Sequence, residues 1–371
     1  GMGYVARGAL QDSPAAAERD LRRGIALAPN FSDGYLELAE ALQSQPGRER
    51  ESRELLERAI LVDPLAPRPQ YVMAMVRYDA DGDIDALVER LDEVLRLDPS
   101  YTQALTRLAS TFALRDLRIA DAIAVVERSM AADPQSYVAR ERAMELYLRL
   151  GEFGAVDELT VSLPENSTAR IALTFARGDA RTAARLARRP LAVAAPGAPA
   201  GRPPDSRTGV LGIAVIAALL DEALTTGDYD GVRDFLLEHH CDAEPQPSRV
   251  ACLSPSTFPA AFALIRIDAA AGRRERAERS ARAALEWIDR GPFARAPPSF
   301  RSFLVARAQL AGGSDDAALR ALQENGPNDV LPIPLWLLEG DRMFDPLRGT
   351  PGFEAIVASL RERMGREQAR L

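Results

Sequence analysis

The chain has 371 residues, 47% of them apolar and 27% charged, which is enough to bury a core and too long for one helical bundle of ordinary domain size. With 46 basic and 54 acidic side chains the formal charge is -8, which argues against non-specific binding to nucleic acid or to an anionic membrane surface. Every basic residue is arginine, and with the abundant alanine this points to a GC-rich bacterial genome.

From the N-terminus, Arg7, Asp12 and Glu18 interrupt any secretory leader, so none is expected. Prolines then recur at Pro29, Pro64, Pro99 and Pro134, an interval of 35 residues each time. Proline lacks an amide proton and disfavours helix in the residue before it, so each one predicts the end of one helix and the approach of the next. The columns between the prolines agree. Ala39, Ala74, Ala109 and Met144 stand at one offset, preceded by Leu38, Met73, Leu108 and Ala143. Leu21, Leu56, Leu91 and Val126 stand at another, followed by Gly24, Ala59, Val94 and Ser129. Small residues recur where two helices of a hairpin must approach closely, and large apolar ones at i, i+3, i+4 on a buried face.

This pattern resembles the tetratricopeptide (TPR) family, whose repeat of about 34 residues is a pair of antiparallel helices with small residues at the crossing and a closing proline. The resemblance covers residues 15–150. It departs from the family at the large aromatic of the first helix, where Tyr35 fits and Gln70, Leu105 and Arg140 do not. It implies an all-α fold, a right-handed α-solenoid of stacked antiparallel hairpins. Counting back from Pro29 places the start of the opening hairpin before residue 1, so that only its end, about Tyr4–Leu10, is expected. An incomplete hairpin exposes apolar surface, which predicts either a preceding element or a homodimer through the N-terminal hairpin.

Beyond residue 150 the period breaks but the hairpins continue. Gly151, Gly178, Gly227, Gly272 and Gly313 each sit between two helix-like stretches, where glycine suits the left-handed end of the first and the following polar residue suits the cap of the second. Hairpins are predicted at 136–162, 167–189, 209–239, 258–290 and 299–324. The domain reading is therefore 1–164 for regular repeats and 165–371 for irregular hairpins. The second part carries Pro-rich loops at 190–207 and 240–257 and a C-terminal capping helix. The longest apolar run, Val210–Leu220, falls short of the ~20 residues a membrane span needs and reads as a buried helix.

The tail has a resemblance of its own. Phe344-Asp345-Pro346-Leu347-Arg348, then Pro351-Gly352-Phe353, looks like the end of TPR domains in bacterial membrane-anchored winged-helix transcription regulators and class III adenylate cyclases. It implies that the chain serves as the sensory or docking half of such a signalling protein. No DNA-binding or cyclase motif is present.

Catalytic chemistry finds little support. His239 and His240 are adjacent at a predicted helix end, and with no other histidine they suit neither a metal site nor a nucleophile's base. A P-loop cannot occur without lysine. Asp81, Asp83 and Asp85 read as caps at a helix start, and Arg273-Arg274-Glu275-Arg276 as a solvated face. Cys241 and Cys252 could bridge across the second loop, worth ~3 kcal/mol in the chain-entropy picture, in an oxidising compartment but not in the cytoplasm. No cofactor or metal is expected, and the compartment is left open between cytoplasm and periplasm.

Binding is the expected role. The resemblance implies a groove lined by the second, fifth, ninth and twelfth residues of each repeat. These are Asp33, Leu36, Glu40 and Gln43, then Arg68, Tyr71, Met75 and Tyr78. Gln103, Thr106, Ser110 and Ala113 follow, and then Val138, Glu141, Glu145 and Leu148. Family members that clamp a free carboxylate place lysine and asparagine at the fifth and ninth positions, and neither occurs here, so chaperone-tail binding is not expected. The candidate groove residues are Arg68, Tyr71, Met75, Tyr78, Gln103, Thr106, Ser110, Glu141 and Glu145. They are expected to hold a peptide or partner helix with an apolar centre and a basic end near Glu141. The alternatives are a structural or dimerisation module in which these aromatics only pack between repeats and, last, an enzyme.

Overall fold

Leucine, alanine, arginine and glutamate fill the stretches between the proline and glycine stops, and all four favour helix. In the computed structural model every regular element among the described residues is accordingly helical. The description covers residues 1–371 except 12, 44, 116–117, 190–208, 242–251, 295, 297 and 325–333, and except the side chains of 114 and 115. The loop expected at 190–207 lies outside the described residues, as does most of the one expected at 240–257.

The helices pair in chain order. Among the first ten, α1 (Met2–Ala9) pairs with α2 (Pro14–Leu27), α3 (Ser32–Gln43) with α4 (Glu49–Val62), α5 (Pro67–Asp81) with α6 (Ile84–Leu97), and α9 (Tyr137–Leu150) with α10 (Phe153–Thr160), while α7 (Thr102–Arg115) and α8 (Ile119–Ala132) follow α6 in the chain. The second helices from α2 to α8 all end two residues before one of the periodic prolines, so the 35-residue interval is carried into the helix boundaries. The turn inside a hairpin varies, from 44–48 after α3 to 82–83 after α5, and the length of the first helix compensates.

Two compact units result, one of residues 1–111 with 131–133 and one of 112–130 with 134–371. The first unit is a stack of hairpins whose core contains the columns read from the sequence together with Leu36 and Val5. Leu36, Ala39, Leu56, Ala59 and Met73 form one cluster with Tyr35, and Val5, Ala17, Leu21, Leu38 and Leu42 form the next. Close approach explains the small residues. A Cβ on Gly24 would fall 2.6 Å from a Val5 methyl, and one on Gly8 2.7 Å from Leu21 Cγ. Two buried hydroxyls are satisfied on the backbone: Ser52 donates to the Ala39 carbonyl at 2.9 Å and Ser32 to that of Ala59 at 3.0 Å. α1 is short, as the count from Pro29 requires, and packs on α2 and α3 through Val5.

The second unit continues with α11 (Thr168–Ala176) and α12 (Ala180–Ala187), α13 (Val210–Thr226) and α14 (Tyr229–His239), and α15 (Phe258–Ala270) and α16 (Arg274–Arg290). α17 (Pro298–Ala311), α18 (Asp315–Gln323) and α19 (Leu335–Gly340) follow, then a 3-10 helix (Arg342–Leu347) and α20 (Pro351–Gln368). The five turn glycines have φ of 77° to 87°, a conformation that costs a residue with a Cβ and costs glycine nothing. α13 is apolar on every side because α9, α11, α12, α14, α15 and the 3-10 helix all pack on it. No helix among the described residues is long and apolar enough to cross a membrane.

This unit closes on itself. The last helix, α20, packs on α18 and α19 and also on α9. Glu367 accepts the Ala120 amide at 3.0 Å, Arg370 pairs with Asp121 at 2.7 Å, and the Gln368 amide donates to the Leu150 carbonyl at 2.9 Å. Trp336 of α19 donates to the Leu148 carbonyl at 2.7 Å. These long-range bonds draw the α9–α10 hairpin into the second unit.

Candidate functional site

In the first unit the first helices α3, α5 and α7 bring together most of the residues expected to line a groove. On α5 the steps 68, 71, 75 and 78 keep one face of a 3.6-residue helix, while Met73 and Ala74 turn inward and are buried. At one end Arg68 joins successive hairpins, pairing with Glu37 and Glu40 of α3 at 2.7 Å each. In the middle the half-buried Tyr71 meets Tyr101 edge to face, ring centroids 5.6 Å apart, and the Tyr101 hydroxyl donates to Gln103 at 2.7 Å. At the other end the Arg107 guanidinium of α7 lies over the Tyr78 ring at 5.1 Å. Met75 is half-buried between the two tyrosines of its helix. Ser110 turns its hydroxyl back onto the Thr106 carbonyl at 2.9 Å, and the Thr106 hydroxyl is itself buried without a partner.

Partial burial sets the electrostatics of this face. Burial holds the Glu40 carboxyl above the usual carboxylate range, with Glu37 adding to the effect and Arg68 opposing it. Burial likewise raises the Tyr71 phenol and pushes that of Tyr101 up to about 12. An unfolded tyrosine ionises near ~10. Between pH ~10 and about 12 the unfolded chain therefore sheds a proton that folded Tyr101 retains, and stability falls as pH rises through that window. Tyr101→Phe is expected to remove a late phenol transition from the absorbance titration at 295 nm and to flatten the decline of the urea midpoint over the same window. Loss of a phenol that ionises near ~10 would contradict this placement.

Three residues on this face were not reached by counting from the prolines. Tyr101 precedes its helix, while Arg107 and Glu37 each stand one place beyond a counted position. Leu36, counted as lining, is fully buried, and Glu37 takes its place beside Arg68. The two glutamates of α9 belong to the second unit. Glu145 is buried there, pairing with Arg142 at 2.5 Å and accepting the Val210 amide at 2.9 Å, so it caps the start of α13. A Cβ on Gly209, just before that cap, would fall 2.2 Å from a Glu145 oxygen, so a larger residue there would displace the capping carboxylate. Glu141 is half-buried on the same helix.

Elsewhere, Cys241 and Cys252 are joined as a disulfide with Cα atoms 4.7 Å apart. His239 and His240 lie against Phe235 at the end of α14, ring centroids 4.5 and 5.9 Å away. Among the described residues no three His, Cys, Asp or Glu side chains converge in a way that would hold a metal ion. Asp83 caps α6 through the Ala86 amide at 3.0 Å. Arg273, expected on a solvated face, instead pairs with the buried Asp268 at 2.7 Å and with Asp230 at 2.8 Å.

No family model and no curated protein matches the chain. Similar solved structures include a tetratricopeptide repeat protein from Parabacteroides merdae, 13% identical with a TM-score of 0.44 over 64% of this chain and 88% of that one. MamA is 18% identical with a TM-score of 0.29 over 40% of this chain and 82% of that one. The structure of Naa15/Naa10 bound to HypK-THB is 16% identical with a TM-score of 0.32, over 99% of this chain and 61% of that one.

Proposed function

We propose that the first unit is a protein-interaction module that takes a peptide or partner helix along the face of α5 and α7. The observation that carries this reading is the run of half-buried Tyr71, Met75, Tyr78 and Tyr101 on one face, with charged groups at its ends. Tyrosine and methionine give large, adaptable contact area, and phenols supply hydrogen bonds at the rim. Arg68 is already matched by Glu37 and Glu40, whereas Arg107 keeps a buried Nε without a partner, which suits a carbonyl or carboxylate of the bound segment. Glu145 is committed to α13, so it offers no carboxylate to a basic end of the bound segment near Glu141. The tail resemblance supports a place in a bacterial regulatory or signalling protein, as its docking part, and the proposal involves no catalytic step.

A second reading is favoured by the packing of Tyr71 on Tyr101 and of Arg107 on Tyr78, both of which join successive hairpins. In that reading the stripe is structural and the chain spaces or dimerises other parts, for instance through its N-terminal hairpin. One pair of substitutions separates the two. Proteins retained from a lysate by the intact chain are identified by mass spectrometry, and retention is repeated with Tyr71→Ala combined with Tyr78→Ala. The interaction reading expects a defined set to be lost with the melting temperature nearly unchanged. A large fall in melting temperature with no selective loss would assign the stripe to packing.

A further inference from the structure

The second unit carries a cavity of about 480 Å³ between α10 and α12, floored by the end of α11. These are far in sequence from the tyrosine face and lie in the other unit. Four arginines line the cavity, Arg170, Arg177, Arg185 and Arg189, against two carboxylates, Asp157 and Glu165. The pairing is uneven. Arg177 is matched in a two-point pair by Asp157, and Arg189 reaches Glu165 only at 3.6 Å. Arg170 donates to the carbonyls of Thr160 and Val161 at 3.0 and 3.1 Å, and its charge helps Arg177 to lower the pKa of the Asp157 carboxyl. Arg185 is exposed, donates to the Thr182 hydroxyl at 3.2 Å and lies close enough to Asp179 at the start of its helix to help lower the pKa of that carboxyl. The lining thus holds more arginines than carboxylates in a chain whose formal charge is -8, and neither Arg170 nor Arg185 has a carboxylate within ion-pair distance among the described residues. Its remaining lining includes Leu173, Leu186 and the exposed Val161.

We propose that this cavity docks an acidic peptide segment, carboxylate side chains on Arg185 and Arg170 and aliphatic ones against Leu186 and Val161. The planar guanidinium offers paired donors that match a carboxylate, and a site with mixed charged and aliphatic walls selects a segment of the same alternation. A nucleic acid fits less well. No aromatic side chain lines the cavity for bases to stack on.

The test is fluorescence anisotropy of the full chain at low salt with a fluorescein-labelled alternating Glu–Leu octapeptide. The Gln–Leu counterpart and a labelled oligothymidylate are measured beside it. Saturable binding of the Glu–Leu probe is expected. Arg185→Glu should weaken it about tenfold or more, and Arg185→Lys should recover part of the loss. Because Arg185 is exposed, the circular dichroism spectrum and melting temperature of both variants should match the parent. Tyr71→Ala with Tyr78→Ala should leave this affinity unchanged, which keeps the outcome separate from that of the tyrosine face. The proposal fails if the Glu–Leu probe shows no saturation up to millimolar protein, if the Gln–Leu probe binds equally, or if Arg185→Glu has no effect. It also fails if the tyrosine variant abolishes binding, or if oligothymidylate binds with the same dependence on Arg185.

Discussion

Asp341→Ala is expected to destabilise the second unit by about 3–5 kcal/mol, the cost of leaving a buried charge without its partner. Arg307 and Asp341 form an ion pair at 2.7 Å with side chains only 1% and 0% exposed. The arginine lies over the rings of Phe303 and Phe344, 5.6 and 5.9 Å from their centres, and those two rings stack on each other and onward to Phe353. Asp341 also accepts the Met343 amide at 2.9 Å, which starts the 3-10 helix. Its carbonyl accepts Arg348 at 2.9 Å. Removing the carboxylate therefore strands a desolvated guanidinium and uncaps the tail together. Both tryptophans, Trp287 and Trp336, lie in this unit, so their fluorescence in guanidinium reports its midpoint directly. The double change Arg307→Met with Asp341→Leu should cost less than Asp341→Ala, because it removes both charges and fills the space. A single substitution with a midpoint close to the parent's would show that the pair holds nothing together.

Leu56→Ala is expected to cost the first unit about 2–5 kcal/mol. Leu56 is fully buried where α4 meets α3, packed with Leu36, Ala39, Ala59 and Met73. Its column faces Ala39, and the hairpin is tied at the same level by the bond from Ser52 to the Ala39 carbonyl. The loss combines the transfer free energy of the deleted atoms with a cavity that this tight crossing cannot close. Amide exchange of α3 and α4 should accelerate by orders of magnitude, since local opening then costs less. Tryptophan fluorescence would miss it, because no tryptophan lies in the first unit. Exchange in α3 and α4 unchanged from the parent would place Leu56 outside the core.

The periodic prolines and turn glycines act on the backbone of their own neighbours, so the helix boundaries they impose were readable without any tertiary information. The 35-residue columns were readable for the same reason, because a helix converts a fixed spacing into a fixed face. Leu21, Leu56, Leu91 and Val126 are all buried as their column requires. On the candidate face the same logic reached Arg68, Tyr71, Met75 and Tyr78.

What the local pattern could not carry was any contact whose partners lie far apart in sequence. Glu145 has the spacing of a lining residue, but the Val210 amide it caps stands 65 residues away. The bond from Ala120 to Glu367 spans 247 residues, and no period relates its ends. That bond and its neighbours close the second unit. Tyr101 and Arg107 joined the tyrosine face for a related reason. A count along one helix fixes the angle of each side chain, whereas the stacking of two rings across hairpins depends on how closely the helices approach. That distance is decided by the residues packed between them.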